Sequence, residues 1–117
     1  MNYWGYHLIL DCGAGDVAKV TDADHIRSFA KELVKRIDMV AYGEPQVIHF
    51  GQGDLGGLTL IQLIETSNIT AHFIDHNGDF YMDVFSCKSY DTKTVIDTVE
   101  EFFAPKTMRV SYLTRQA

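Results

Sequence analysis

The dipeptide Asn77-Gly78, set between the runs ITAHFI and FYMDVFS, is the tightest local constraint in the chain. Asn-Gly suits the two φ > 0 positions of a type I′ turn, and apolar residues alternate on both sides of it, so residues 68 to 87 read as a β-hairpin. A two-residue turn fixes the pairing: His76 faces Asp79, His72 faces Asp83, and Asn68 faces Cys87 with Ser67 beside it. Strand alternation then puts Asn68, Thr70, His72, Asp83, Phe85 and Cys87 on one face. That face is too polar for a plain core.

The remaining elements follow from periodicity and punctuation. YHLILD (6 to 11) reads as a strand closed by the Gly13 to Gly15 turn. Thr21, three residues before Asp24, marks a helix start, and Ile26, Phe29, Ala30, Leu33, Val34 and Ile37 follow the i, i+3, i+4, i+7 stripe until Gly43 and Pro45. VIHF (47 to 50) is a short strand entering the loop GQGDLGG, and LTLIQLIET (58 to 66) is another strand. Asp91 caps a second amphipathic helix carrying Val95, Ile96, Val99, Phe102 and Phe103, stopped near Pro105, and MRVSYL (108 to 113) is the last strand. The strands are grouped between the two helices instead of alternating strictly with them. This predicts the α+β class, an antiparallel β-sheet with two helices packed on one face. The other face needs a cover, and a second copy is the simplest one, with the sheets pairing in a homodimer. Residues 1 to 117 contain no linker or low-complexity tract and read as a single domain.

Composition narrows the function classes. A formal charge of −6 argues against a nucleic-acid or anionic-membrane surface, which needs a basic patch. No membrane span or signal peptide is legible, so a cytoplasmic protein is expected. Cys12 and Cys87 are too few for a disulfide framework and lack a zinc-ligand pattern; no metal is expected. GQGDLGG lacks the Lys-Ser/Thr ending of a phosphate loop and opens a strand, not a helix. Small molecules and protein partners remain.

One stretch resists a purely structural reading. In LIETSNITAH the apolar run turns polar at Thr66-Ser67-Asn68 and resumes with Ile69, Ala71 and Phe73 on alternate positions. Taken alone, Ser67 is a satisfied turn serine, His72 a hydrogen-bonded core histidine facing Asp83, and Cys87, like Cys12, a small buried hydrophobe. His7 and His49 read as satisfied strand histidines. From Asn68 to His72 is ~13 Å at a rise of about 3.3 Å per residue, so His72 reaches chemistry at the Ser67 end only from a symmetry mate.

Taken together, GYHLILD, the glycine-rich loop into LIETSNITAHF, and MDVFSC make the chain resemble the prokaryotic S-adenosylmethionine decarboxylase family. Its members have a strand-borne serine followed five residues later by histidine and twenty residues later by cysteine, the spacings of Ser67, His72 and Cys87. The resemblance runs from about Gly5 to the last strand. It implies self-cleavage between Thr66 and Ser67: the serine hydroxyl adds to the Thr66 carbonyl, an N-to-O acyl shift gives an ester, and β-elimination leaves a covalently bound pyruvoyl group at 67. By resemblance His72 is the processing base, and Thr59, by ungapped spacing, steadies the intermediate. The pyruvoyl group forms a Schiff base with the substrate amine, Cys87 returns a proton to the α-carbon, and Phe50 stacks on a flat base.

Two departures bear on the substrate. Relatives read Glu-Ser-His at the cut, where this chain reads Thr66-Ser67-Asn68, with Glu65 one place early. The family's Thr-Trp-Pro-Glu, whose glutamate resembles a ribose ligand, is replaced by Phe73-Ile74-Asp75-His76. Asp75, by a shift of register, and His76 are the substrate-binding candidates there. The resemblance implies S-adenosylmethionine decarboxylation for polyamine (spermidine) synthesis. Arginine or ornithine decarboxylation on the same fold is the alternative, and an unprocessed relative that binds ligand or regulates a partner is a third.

Overall fold

The computed structural model describes residues 2–117. Strand β1 (Gly5–Gly13) leads through a short helix α1 (Val17–Val20) to α2 (Ala23–Arg36), then β2 (Gln46–Phe50) and β3 (Gly57–Ile64). Strands β4 (Ser67–Phe73) and β5 (Phe80–Ser86) follow, then α3 (Thr92–Phe103) and β6 (Thr107–Arg115). The six strands form one antiparallel sheet in the order β2-β3-β4-β5-β1-β6. Helices α2 and α3 cover one face, as the grouped order of elements predicts.

Thr21 does not start α2. It closes α1, its N–H bonding to the Lys19 and Val17 carbonyls, and Asp22 caps α2 by accepting from the Asp24 and His25 amides. A carboxylate satisfies two orphan N–H groups at once and suits the positive end of the helix dipole, so it displaces the neighbouring hydroxyl. Asp91 caps α3 as expected, and Ala104 ends it in the left-handed conformation, φ 46°, just before Pro105. The stripe Ile26, Phe29, Ala30, Leu33 and Val34 faces the sheet.

The core centres on Phe103, whose ring lies 4.8 Å from Phe29, 5.0 Å from Phe73 and 5.3 Å from Phe80, centroid to centroid. All four are fully buried. Phe103→Ala is expected to cost about 3–5 kcal/mol, since it removes the ring that both helices and the sheet share. A urea midpoint close to that of the parent protein would contradict this.

The β4–β5 hairpin forms, but not around a two-residue Asn77-Gly78 turn. Phe73 pairs with Phe80 and Ile74 N–H bonds to Asp79 O, leaving residues 75–78 as a four-residue loop. Only Gly78 has positive φ, 81°; the Asn77 side-chain oxygen accepts the Asp79 amide at 2.9 Å, an Asx turn that keeps Asn77 out of the left-handed region. Gly78 is required sterically too, because a Cβ there would lie 2.2 Å from the Gly15 carbonyl. The pairing therefore slides by two. His72 faces Tyr81, not Asp83; Asp83 faces Thr70; Asn68 faces Phe85, not Cys87; and His76 does not face Asp79. An even slide leaves every side chain on its predicted face.

The two-residue turn lies elsewhere. Ile64 pairs with Ser67, so the expected strand through Thr66 ends at Ile64, and Glu65-Thr66 joins β3 to β4. The face opposite the helices carries Thr59, Asn68, Thr70, His72 and Asp83 among exposed Ile48, Phe50, Leu63, Tyr81 and Leu113. No helix of the described residues is long and apolar enough to cross a membrane.

Candidate active site

The Glu65-Thr66 turn has negative φ at both residues, unlike the primed turns that match strand twist, and it is held from outside. Glu65 N–H bonds to Val40 O at 2.9 Å, and Tyr42 N–H to Leu63 O at 2.8 Å. The Thr66 carbonyl accepts the backbone N–H of Cys87 at 3.0 Å. The Thr66 hydroxyl accepts from Ser86 Oγ at 2.7 Å and donates to Met39 Sδ at 3.3 Å. Ser67 opens β4, half-buried and paired with Ser86 across the ladder, and its hydroxyl makes no hydrogen bond among the described residues. Thr66, Ser67 and Cys87 thus meet at one end of the sheet, through the backbone of Cys87 instead of the expected Asn68–Cys87 pair. The result is an unengaged hydroxyl next to a hydrogen-bonded carbonyl.

His72 stands at the other end of β4, about 16 Å along the strand from Ser67 at ~3.3 Å per residue. The structure does not bring the two together within one chain. Thr59 pairs with His72 across the ladder, its Oγ1 lying 2.7 Å from Nδ1, while Nε2 lies 3.1 Å from the Leu55 carbonyl. A carbonyl only accepts, so Nε2 carries a proton, and in the neutral ring Nδ1 accepts from the Thr59 hydroxyl. Phe50 stacks over the imidazole at 6.0 Å and 29°. Thr59, Thr70, His72, Tyr81 and Asp83 line a shallow depression of about 270 Å³.

Asp75 and His76, which with Phe50 are the substrate-binding candidates, also gather at the His72 end. Asp75 takes His49 Nε2 at 2.7 Å and donates its amide to Gly56 O; His76 lies 3.8 Å from Asp54. In the shifted register His72 does not face Asp83, and Asp83 takes His7 Nε2 at 2.9 Å. His7 and His49 are thus satisfied strand histidines.

Sequence reasoning misses Ser86, fully buried beside the Thr66 hydroxyl, and Met39, which lies under both. Ser86 immediately precedes Cys87, and only its pairing with Ser67 reveals its position. It also misses Trp4, stacked on Phe85 at 6.0 Å; with Arg115 and Gln116 these rings bound a larger concavity, about 430 Å³, at the Ser67 end of the sheet. The signal is that Trp4 is the chain's single tryptophan, immediately before the first strand.

The cysteines divide sharply. Cys12 is buried, and burial, helped by Asp11 and Glu100, pushes its thiol up to about 12, whereas Cys87 is exposed. The thiolate is the reactive form, so Cys87 alone is expected to react with a thiol reagent in the folded protein near neutral pH. Two equivalents reacting before unfolding would contradict this assignment.

The sequence profile described as S-adenosylmethionine decarboxylase matches residues 6–116. The chain is similar to the S-adenosylmethionine decarboxylase proenzyme of Clostridium botulinum strain Langeland, 24% identical over 116 residues, spanning 98% of this chain and 97% of that one. It is 27% identical to the proenzyme of Pyrococcus abyssi over 98% of this chain and 81% of the relative. The crystal structure of the adenosylmethionine decarboxylase from Aquifex aeolicus superposes with a TM-score of 0.79 at 21% identity, covering all of this chain and 94% of that one, which establishes a shared fold. A profile match from the start of β1 to the end of β6, with full-length relatives that agree in name, establishes that the chain belongs to the S-adenosylmethionine decarboxylase family.

Proposed function

We propose that this protein is a pyruvoyl-dependent S-adenosylmethionine decarboxylase, synthesised as a proenzyme that cuts itself between Thr66 and Ser67. The observation that carries the reading is the turn itself: a free Ser67 hydroxyl follows a carbonyl already engaged by the Cys87 N–H. In the first step Ser67 Oγ bonds to the Thr66 carbonyl carbon. The Cys87 amide then faces the oxygen on which negative charge develops, the arrangement that stabilises tetrahedral intermediates. The Thr66–Ser67 C–N bond breaks as the amine takes a proton, leaving an ester. Removal of the Ser67 α-proton expels the Thr66 carboxylate, and water replaces the nitrogen of the dehydrated residue, releasing ammonia and leaving a pyruvoyl group.

The base for the α-proton is His72 of a second copy, since the same chain's own imidazole sits at the far end of the strand. Thr59 holds His72 Nδ1 by its hydroxyl, so the pair passes a proton between imidazole and incoming group through one oxygen. The exposed Ile48, Phe50 and Tyr81 beside this pair, with Leu63 farther along the same face, are the apolar surface a homodimer covers by stacking sheet on sheet.

A pyruvoyl carbonyl supplies an electron sink for loss of carbon dioxide from an α-amino acid. The chain's residues fit it: Ser67 is its precursor, and the exposed Cys87 thiol holds the proton returned to the substrate α-carbon. Phe50 offers an exposed ring to a flat base. A second reading, arginine or ornithine as substrate, is favoured by the carboxylates of Asp75, on His49, and of Asp54, near His76, at the His72 end of the sheet, where a cationic side chain finds negative charge. The test is denaturing mass spectrometry for fragments 1–66 and 67–117, followed by carbon dioxide release from each substrate. An intact chain after long incubation defeats the enzyme reading and favours a non-catalytic relative. Release from arginine or ornithine but not S-adenosylmethionine moves the assignment to the second reading.

A further inference from the structure

Ser86 is polar and fully buried one residue before Cys87. A buried hydroxyl is costly unless its hydrogen-bonding capacity is used, and here the use is directional. The Lys88 amide, which can only donate, lies 3.0 Å from Ser86 Oγ, and the Met39 sulfur, which can only accept, lies 3.3 Å from Thr66 Oγ1. The shortest contacts set the proton order: Lys88 N–H to Ser86, Ser86 O–H to Thr66, Thr66 O–H to sulfur. The reverse order would give the sulfur a proton from Ser86 Oγ across 3.8 Å in place of one from Thr66 across 3.3 Å.

We propose that Ser86 is a positioning residue for the cut: its hydroxyl bond to Thr66 holds the Thr66 carbonyl where Ser67 attacks. The inference rests on the self-processing reading above. Thr66 is β-branched and stiff at χ1, so fixing Oγ1 on both sides fixes the backbone it hangs from. The Cys87 amide fixes the carbonyl oxygen, and together these contacts set the peptide plane that must be attacked. The clamp is anchored in turn, since Lys88 Nζ binds both the carbonyl and the carboxylate of Asp38 beyond the end of α2.

The measurement is the rate at which fresh proenzyme splits, followed by denaturing mass spectrometry. Ser86→Ala is expected to slow the split by about 10–100-fold, the size that misplacing reacting atoms by a fraction of an ångström to one ångström produces. Thr66→Val, which keeps the shape and removes the hydroxyl, is expected to do the same, Thr66→Ser to restore most of the rate, and the double variant to be no slower than the slower single one. If Ser86 served structure alone, rates would instead follow the melting temperatures of the same substitutions placed on Ser67→Ala. Wild-type splitting in Ser86→Ala, multiplied effects in the double variant, or rates that track melting temperature would overturn the clamp and leave self-processing standing. A wild-type chain that never splits would remove both. Should Ser86→Ala fail to fold, Thr66→Val and Thr66→Ser decide alone: equal rates for the two end the proposal.

Discussion

Ser67→Ala is expected to remain a single 13.2 kDa chain under denaturing conditions and to release no carbon dioxide from any substrate. The effect is total because the variant removes the atom proposed to attack the Thr66 carbonyl carbon, and no neighbouring hydroxyl replaces it. Ser86 Oγ is committed to Thr66 Oγ1, and Thr66 Oγ1 to the Met39 sulfur. Folding is expected to change little. Ser67 is half-buried with no side-chain hydrogen bond to lose among the described residues, so the cost is within about 0.5–1 kcal/mol. A fold-matched, uncut chain separates loss of chemistry from loss of structure. Two fragments from Ser67→Ala would place the cut at another bond.

His72→Ala is likewise expected to stay uncut, but its chains should be rescued by mixing. When His72→Ala and Ser67→Ala chains are refolded together, a mixed dimer offers an intact Ser67 on one chain and an intact His72 on the other. Only the His72→Ala chain is expected to split, and at equal mixing about half of those chains find such a partner if dimers form at random. The prediction follows from β4 geometry, because five residues of extended strand separate the groups in one copy. Absence of rescue in a verified mixed dimer would assign the α-proton to a base on the same chain as Ser67.

The class of fold was legible because periodicity and punctuation agreed. The stripes of α2 and α3, the Asp91 cap and the grouping of the strands all carry over to the structure. The loop after β4 was not legible in detail, since Asn-Gly serves equally a primed two-residue turn and a four-residue loop with one left-handed glycine. The close approach of Gly78 to Gly15 decides between them, and that contact is long-range. The same limit hid Ser86 and Met39. Their meeting depends on β5 pairing with β4 and on the segment after α2 folding beneath both, which no local pattern records. His72 with Thr59 was half legible: ungapped spacing proposed the threonine, and only the β3–β4 ladder puts its hydroxyl on Nδ1.

The strand order has a kinetic consequence. A cut at Thr66–Ser67 leaves β1, β2 and β3 in one fragment and β4, β5 and β6 in the other, and these alternate in the sheet: β3 lies against β4, and β1 sits between β5 and β6. Three ladders, β3–β4, β1–β5 and β1–β6, join the two pieces, so the proposed cut releases neither. What it removes is the tether. Before the cut, recovery from unfolding is a first-order event within one chain. After it, two separate molecules must find each other, and recovery becomes second-order and slows with dilution. With the proposed cut, the protein passes from a molecule that refolds alone to one that regains its shape only by meeting its other fragment.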